Sequence, residues 1–471
     1  MANGNSASDA PNESATPLLT LGAAELRTPA RFDRTDWLSF GGTTAIAFAG
    51  FWFTLSPNLW LGDSGLFSVG AMYAGIPSTP GYPAWTLYSW LFIQLLPISN
   101  IAWRVAVGSA VATAVACGLV SLMVSLGATL LFEHGPTLAH LNPRERNWLR
   151  GVCGIVAGLV LAFSGGIWRE AVVADFGALS VLFYAGVLVS VTLWLFEPER
   201  RRFLFAGFFL LGLLLTSSQE MIVALPVLIG AIMLADQKLG RDAALFVLPV
   251  VGYATALFQW GLWVAFPEQL NWPLTVIFCA VALIGVFLGF KTRGVGSEWT
   301  SASLCGICLF LGLGFYFYSP IASMTNPPVN WGYPRTVEGF FHVLRRGQFE
   351  HASPTRELGR YLQQLWLYAR TAGSQFGWPQ LMVSVLPFCF LRRMNPLARR
   401  WMLGLFAMWF GVGPLMIAEL NPSPDLQAAK LTGLYFMASY VILAVWLGLG
   451  LTILGAWMSR PNPIPSDSGS S

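Results

Sequence analysis

Apolar segments alternate with short polar ones along most of the chain. Between residues 39 and 458 the apolar runs are about 15 to 29 residues long, and the charged residues and most prolines lie between them. Runs of this length and composition predict transmembrane helices. The predicted spans are 39–58, 104–132, 150–166, 177–196, 203–217, 221–235, 243–265, 272–290, 302–320, 376–391, 402–418 and 432–458. The short pair around Thr216 could instead be half-helices that enter the bilayer and turn back.

Composition supports a membrane class for the whole region. Of the 471 residues, 55% are hydrophobic and only 11% are charged, whereas soluble proteins carry about 25% charged residues. We therefore predict an all-α integral membrane protein with about 12 transmembrane helices in a single domain, 39–458. The flanking segments, 1–38 and 459–471, are rich in Ser, Pro, Ala and Asn, and this composition predicts disordered tails.

The distribution of cations predicts an orientation. When the 12 predicted spans alternate across the membrane, 18 of the 27 Lys and Arg residues fall on the side of the termini. Since cytoplasmic loops are enriched in Lys and Arg, we predict that both tails are cytoplasmic. Two long loops, 59–103 and 321–375, then face the outside, and each is predicted to carry a juxtamembrane helix.

The sequence gives little support for a metal site, a redox site or binding of nucleic acid. All six cysteines lie in apolar segments, so neither a disulfide framework nor a zinc site is expected. Cys305 and Cys308 form a CxxC, but no partner ligands lie near them in the sequence. We predict no metal site, no requirement for a divalent metal and no nucleic-acid partner.

Asp63 is the first candidate catalytic residue. It follows the first predicted span, at the beginning of the first outside loop. A carboxylate here could act as a general base on an acceptor hydroxyl, or it could cap a short helix that starts at Ser64. Further along the same loop, Tyr82, Trp85 and Tyr88 are candidates for contact with lipid or sugar at headgroup level.

The second outside loop holds the densest set of polar candidates. Asn330 and Trp331 lie in a Pro-rich, non-helical stretch and are further candidates for lipid or sugar contact. Arg335, Arg345 and Arg346 could bind the phosphate of a donor through their forked donors, or they could bind anionic lipid headgroups. The remaining candidates near the outside are Arg104 for phosphate and Glu170, Asp175 and Glu220 as additional acids.

Several motifs resemble a known family. They are "GDSGLF" (62–67), "GIPSTPGYPAWTLYSWLF" (75–92), "NIAWRVAVGSA" (100–110), "GLLLTSSQEMIVALP" (212–226) and "NPPVNWGYPRTVEGFFHVLRRGQFE" (326–350), with a weaker match at 421–440. In these stretches the chain resembles bacterial membrane proteins of a family of unknown function that is related to a eukaryotic protein O-mannosyltransferase, within the GT-C fold class of glycosyltransferases.

The resemblance implies a function. It implies transfer of a sugar from a polyprenyl-phosphate donor to an extracytoplasmic hydroxyl on a protein or glycan acceptor, in a bacterial inner membrane and among membrane lipids. Asp63 matches the Asp of the family's Asp-Ser-Gly-Glu pattern, which favours its role as the base.

The sequence also departs from the family pattern. Leu66 stands where the pattern has Glu, Ser78 where it has His, Ser217-Ser218 where it has Asn-His, and Ala322 where it has Arg. Each departure removes a polar or charged group. The competing hypothesis is therefore an inactive relative that serves as a structural subunit or lipid-binding partner in a membrane complex.

Overall fold

The computed structural model describes residues 32–134, 141–260, 271–347, 353–423 and 426–459. Within these ranges the chain is helical and contains no strand, in agreement with the all-α prediction. A single parallel bridge pairs Ile76 with Asn330 and joins the two long loops. Of the predicted tails, 1–38 and 459–471, residues 1–31 and 460–471 lie outside the described residues.

The first half of the chain contains α1 (Arg34–Thr54), α2 (Ser64–Met72), α3 (Pro83–Leu95), α4 (Ile101–His134), α5 (Pro143–Ala162), α6 (Gly165–Ala171), α7 (Gly177–Phe196), α8 (Arg202–Ser217), α9 (Ala224–Ala235) and α10 (Gln237–Trp260). The second half contains α11 (Trp272–Lys291), α12 (Trp299–Leu313), α13 (Tyr318–Met324), α14 (Val337–Leu344), α15 (Leu358–Phe376), α16 (Trp378–Cys389), α17 (Pro396–Phe410), α18 (Met416–Leu420) and α19 (Leu426–Met458). A 3₁₀ turn, Gln219–Val223, joins α8 to α9.

Six stretches of helix in the described part of the chain are long and apolar enough to cross a membrane. They are Ile101–Leu131, Gly177–Phe196, Trp272–Lys291, Trp299–Met324, Pro396–Leu420 and Tyr435–Met458. A seventh is possible if α5 and α6, which meet at a bend of 73°, form one broken span. The chain is thus an integral membrane protein, and the total of 12 spans stays a prediction, although each predicted segment contains helix.

The predicted start of the domain is a few residues late. Helix α1 begins at Arg34, so residues 34–38 are helical and not part of a disordered tail. Asp33 accepts a hydrogen bond from the backbone N–H of Asp36, and the Asp36 side chain accepts one from the backbone N–H of Asp33. This capping box satisfies two of the free N–H groups that begin every helix.

Small residues allow the helices of the bundle to approach closely. A Cβ atom at Gly158 of α5 would lie 2.7 Å from the carbonyl oxygen of Cys117 in α4. A Cβ atom at Gly212 of α8 would lie 2.3 Å from the carbonyl oxygen of Leu309 in α12. Backbone contacts of this kind are how membrane helices associate when lipid removes the hydrophobic driving force between them.

The loops between the helices meet at one end of the bundle. The Ser56 N–H donates to the Val172 carbonyl at 3.0 Å, which joins the loop after α1 to the loop after α6. The Gly166 N–H donates to the Gln375 side chain at 2.7 Å, which joins α6 to the end of α15. At this end α1, α6, α8 and α18 finish, α7 begins, and α2, α3 and α14 lie. We call it the Asp63 end.

Candidate functional site

Asp63 lies at the beginning of α2 but does not cap it. The residue occupies the position before the first helical turn, yet its carboxylate makes no hydrogen bond to the helix N–H groups. The local turn is instead stabilised by Ser64, whose hydroxyl accepts from the Trp60 N–H at 2.8 Å and donates to the Trp60 carbonyl. The hypothesis that the Asp63 side chain is a helix cap is therefore wrong. The carboxylate is exposed.

Helix α6 and the loop that follows it bring two further acids to the same end of the bundle. Glu170 is 2% exposed and receives hydrogen bonds from the Arg169 guanidinium at 3.0 Å. Its other oxygen, Oε2, has no partner among the described residues. Burying a carboxylate with one oxygen that lacks a hydrogen bond costs free energy. The ion pair with the neighbouring Arg169 offsets part of this cost.

Asp175 is the acid that interacts with Asp63. Its side chain accepts the Phe176 N–H at 2.6 Å, and its backbone carbonyl accepts the Trp85 indole N–H at 2.8 Å. The pKa of Asp175 is raised to about 6, mainly by burial and also by the negative charge of Asp63, while the Phe176 and Gly177 N–H groups and the charge of Arg169 lower it. The two carboxylates, 112 residues apart in the sequence, thus lie within electrostatic range of each other.

An aromatic cluster supports this pair of acids. Tyr82 stacks on Phe176 with 4.5 Å between ring centroids, and Phe67 lies edge-on to Tyr82 at 5.5 Å and to Trp85 at 5.0 Å. Trp85 is only 1% exposed, so its predicted contact with lipid or sugar at headgroup level is wrong. Its ring packs inside the protein and its N–H holds the Asp175 carbonyl.

Tyr88 and Arg104 have structural roles. The Tyr88 hydroxyl donates to the Gly108 carbonyl at 2.8 Å, which packs α3 against α4. The Arg104 guanidinium donates to the carbonyls of Ile93, Ile98 and Ser99. It therefore closes the end of α3 and the turn after it, and its nitrogens are already used by the backbone rather than free for phosphate.

An ion pair between Glu220 and Arg346 lies near the Asp63 and Asp175 acids. Glu220, in the turn after α8, forms an ion pair with Arg346 at the end of α14. The neighbouring Gln219 amide donates to the Leu344 carbonyl at 3.0 Å, so the turn and α14 are held by two bonds. Burial raises the pKa of the Tyr82 hydroxyl well above its usual value, and the Glu220 charge adds to this rise. Tyr82 thus lies between the two groups of acids.

Tyr435 is part of this site and was missed by the sequence reasoning. Its hydroxyl lies beside Arg346, at hydrogen-bonding range, and feels the charges of Glu220 and Asp175. It begins the apolar part of α19, where a tyrosine is easily taken for an interfacial aromatic residue. The available signal was its place in the weak match at 421–440.

The remaining predicted residues of the second loop are close by but are not joined in one cluster. Arg335 is exposed and donates to the Asn326 side chain at 3.1 Å. Arg345 has a buried Nε with no partner among the described residues. Asn330 donates to the Ser323 carbonyl at 3.3 Å, and Trp331 is 38% exposed.

The positions that depart from the family pattern are mostly packed. Ser217 is 1% exposed, the Ser218 hydroxyl bonds the Ser180 hydroxyl at 3.0 Å, and Ala322 is 6% exposed. Leu66 and Ser78 are half-buried.

A small cavity lies behind the acids. It has a volume of about 10 Å³ and is lined by Phe176, Gly177, Ser180, Val181, Ser218, Met221, Tyr435, Met437 and Ala438. This volume suffices for about one water molecule and is too small for a sugar ring. Among the described residues, no group of three or more His, Cys, Asp or Glu side chains is arranged to hold a metal ion.

Comparison with known proteins gives a consistent picture. Residues 63–241 match the family model described as Protein O-mannosyl-transferase TMEM260 N-terminal domain, and the match begins at Asp63. The mouse Protein O-mannosyl-transferase TMEM260 is 30% identical over 177 residues, which cover 37% of this chain and 22% of the relative. The Protein O-mannosyl-transferase tmem260 of Dictyostelium discoideum is 22% identical over 423 residues, or 86% of this chain and 43% of the relative.

The chain thus spans less than half the length of these two curated relatives. No solved structure matches it. The matches support a protein O-mannosyltransferase-like family, in agreement with the resemblance inferred from the motifs.

Proposed function

We propose that the chain is a membrane glycosyltransferase that moves a sugar from a polyprenyl-phosphate donor to a hydroxyl group of a protein acceptor. The observation that carries this proposal is the state of Asp63, an exposed carboxylate that is free of helix capping and adjoins a second acid, Asp175. The similarity to proteins named as protein O-mannosyl-transferases supports the class of reaction and of acceptor.

In the proposed mechanism Asp63 is the general base. Its carboxylate takes the proton of the acceptor hydroxyl while the hydroxyl oxygen attacks the anomeric carbon of the sugar. The bond between that carbon and the phosphate oxygen breaks, and the electron pair leaves with the phosphate. Because the nucleophile attacks opposite the leaving group, the configuration at the anomeric carbon inverts. Such a step needs the base within hydrogen-bond reach of the acceptor.

The arginines of the second loop are the proposed donor side. Arg345 offers a buried Nε that no described residue uses, and Arg335 is exposed nearby in the sequence. Guanidinium groups suit the leaving phosphate because their forked N–H groups bind two oxygens at once. Arg346 is less suited, since Glu220 already neutralises it, and we assign it to holding α14 in place.

The test is the Asp63→Asn variant. General base catalysis contributes about 10²- to 10⁴-fold to rates, so transfer from a polyprenyl-phosphate sugar to an acceptor protein should fall by at least 100-fold. Glu338→Gln, an exposed acid on α14, is the matched control and should keep its activity. Full activity of the Asp63→Asn protein would refute the assignment.

A second candidate function has its own support. Ser217, Ser218 and Ala322 are packed where the family pattern has polar or charged groups, which favours a chain that keeps the fold without the chemistry. Such a chain would serve as a subunit of a membrane complex. It should then purify at fixed stoichiometry with other membrane proteins, and Asp63→Asn should leave that assembly unchanged. Transfer activity in the isolated chain would exclude this alternative.

The proposal includes a GT-C architecture of 12 spans in a bacterial inner membrane, with the Asp63 end outside and both termini in the cytoplasm. The concentration of Lys and Arg in the short loops of the opposite end supports this orientation. A reporter that is active only outside the cytoplasm, inserted at Gly62, should be active. The same reporter inserted at Arg200 should be silent.

A further inference from the structure

A polar cleft opens at the Asp63 end, apart from the acids described above. It has a volume of about 300 Å³ and is lined by Ser353, Pro354, Thr355, Arg356, Glu357, Arg360 and Asn421. The cleft forms where the segment before α15 meets the residues after α18. Its size is at the lower end of the range for small-molecule sites, about 300 to 1,000 Å³.

Buried hydrogen bonds fix the floor of the cleft. The Thr355 hydroxyl donates to the Gln364 side-chain oxygen at 2.9 Å, and the Gln364 amide donates to the Asn421 side-chain oxygen at 2.9 Å. The Asn421 amide in turn donates to the Ser353 carbonyl at 2.8 Å. Thr355 and Gln364 are each 3% exposed. The network therefore gives the cleft a defined shape before any ligand arrives.

The charge of the lining favours an anion. Arg356, in the segment before α15, and Arg360, in the first turn of α15, are both exposed and both line the cleft. Among the residues that the structure describes, Glu357 is the acid that lines the cleft. This described part of the lining thus has two guanidinium groups and one carboxylate. Guanidinium forks match the oxygens of a phosphate group better than those of any neutral ligand.

The neighbouring face of α15 favours a lipid as the carrier of that phosphate. Leu358, Leu362 and Trp366 are 72%, 56% and 64% exposed, and their spacing of four residues places them along one face of the helix. Another face is fixed to the bundle, since the Tyr361 hydroxyl donates to the Pro414 carbonyl and Tyr368 to the Ser439 hydroxyl. An exposed apolar stripe beside basic residues is typical of helices that lie at a membrane surface.

We propose that this cleft binds the phosphate of an anionic phospholipid. Arg356 and Arg360 hold the headgroup phosphate, and the acyl chains lie against Leu358, Leu362 and Trp366. The site is independent of the proposed transfer reaction, because none of these residues belongs to the cluster around Asp63. A specifically held lipid would anchor α15 to the bilayer beside the candidate site.

The test uses the full chain purified in mild detergent. Native mass spectrometry measures the dissociation constants of phosphatidylglycerol and of zwitterionic phosphatidylcholine. An Arg near a membrane contributes about 1 kcal/mol to the binding of anionic lipid. The double variant R356A/R360A should therefore bind phosphatidylglycerol about 30-fold more weakly. Both side chains are exposed, so the fold should survive. The matched control, R392A/R393A, removes two exposed arginines elsewhere and should keep the tight site.

Two further arms separate the sources of the phosphate. L358Q/L362Q should weaken phosphatidylglycerol without changing the arginines, whereas millimolar inorganic phosphate should compete poorly. If inorganic phosphate displaces the lipid fully and L358Q/L362Q has no effect, the cleft is a site for a soluble anion and the proposal is wrong. Equal affinity of wild type and R356A/R360A for phosphatidylglycerol would also overturn it.

Discussion

Asp175 should make the stability of the protein depend on pH. Its pKa is about 6, against an ordinary value of 3.8, mainly because burial disfavours the charged form. An acid whose pKa is higher in the folded state than in the unfolded state makes its full contribution to stability at a pH below its unfolded-state pKa. This contribution is lost as the pH rises to about 6. Asp175→Asn cannot ionise, yet its amide oxygen can still accept the Phe176 N–H. The stability of the variant should therefore not fall as the pH rises.

The size of the effect follows from the shift. A difference of about 2 pKa units corresponds to about 3 kcal/mol at most. Because the side chain is only part-buried, solvent screening should reduce this to about 1 to 2 kcal/mol. At pH 8 the Asp175→Asn protein should be more stable than wild type by this amount. At pH 4 the two proteins should be equally stable, and half of the change should occur near pH 5.

The assay is thermal unfolding of wild type and variant in one detergent, from pH 4 to pH 8. Asp242→Asn is a control of opposite sign. Burial opposes the charge of Asp242, but the hydrogen bonds from Arg241 and from the Gly296 and Glu298 N–H groups prevail and lower its pKa. Asp242→Asn should therefore destabilise the protein by nearly the same amount from pH 8 to pH 4, because the contribution of a lowered pKa is lost mostly below the ordinary value of 3.8. If Asp175→Asn is as stable as wild type at pH 8, the buried-acid interpretation is wrong.

Two more predictions concern the packing of the site and of the bundle. Arg346→Ala leaves Glu220 part-buried without its partner and should lower the free energy of unfolding by about 2 to 3 kcal/mol. Glu220→Gln in the same chain should restore most of this loss. A double-mutant cycle of melting curves that shows no coupling would contradict the ion pair. Gly212→Ala places a methyl group 2.3 Å from the Leu309 carbonyl and should lower the melting temperature strongly, whereas Gly41→Ala, with no atom within 4 Å, should not.

The sequence predicted the helices well because their signal is local. Runs of 15 to 20 apolar residues need no partner to be recognised, and each predicted span contains helix in the structure. The same reasoning placed Asp63 and Asp175 near one end of the bundle, since alternating spans return every second loop to the same side. What periodicity could not give is a side chain's immediate surroundings.

The errors follow from this limit. Trp85 and Arg104 have the composition expected of an interfacial aromatic and a phosphate ligand, but their partners are backbone carbonyls contributed by Asp175 and by the 93–99 turn. Such partners are invisible to a pattern of residue types. The start of α1 was missed for a related reason, since the capping box at Asp33 stands in a polar stretch that composition assigned to the tail.

Tyr82 shows how the site depends on contacts that no single segment encodes. Its ring is fixed by Phe176 from the loop after α6, and its hydroxyl feels Glu220 from the turn after α8. Glu220 and Asp175, 45 residues apart in the sequence, thus both lie close enough to raise the pKa of the Tyr82 hydroxyl. The candidate site is thus formed by three loops that are held together by contacts between residues far apart in the sequence.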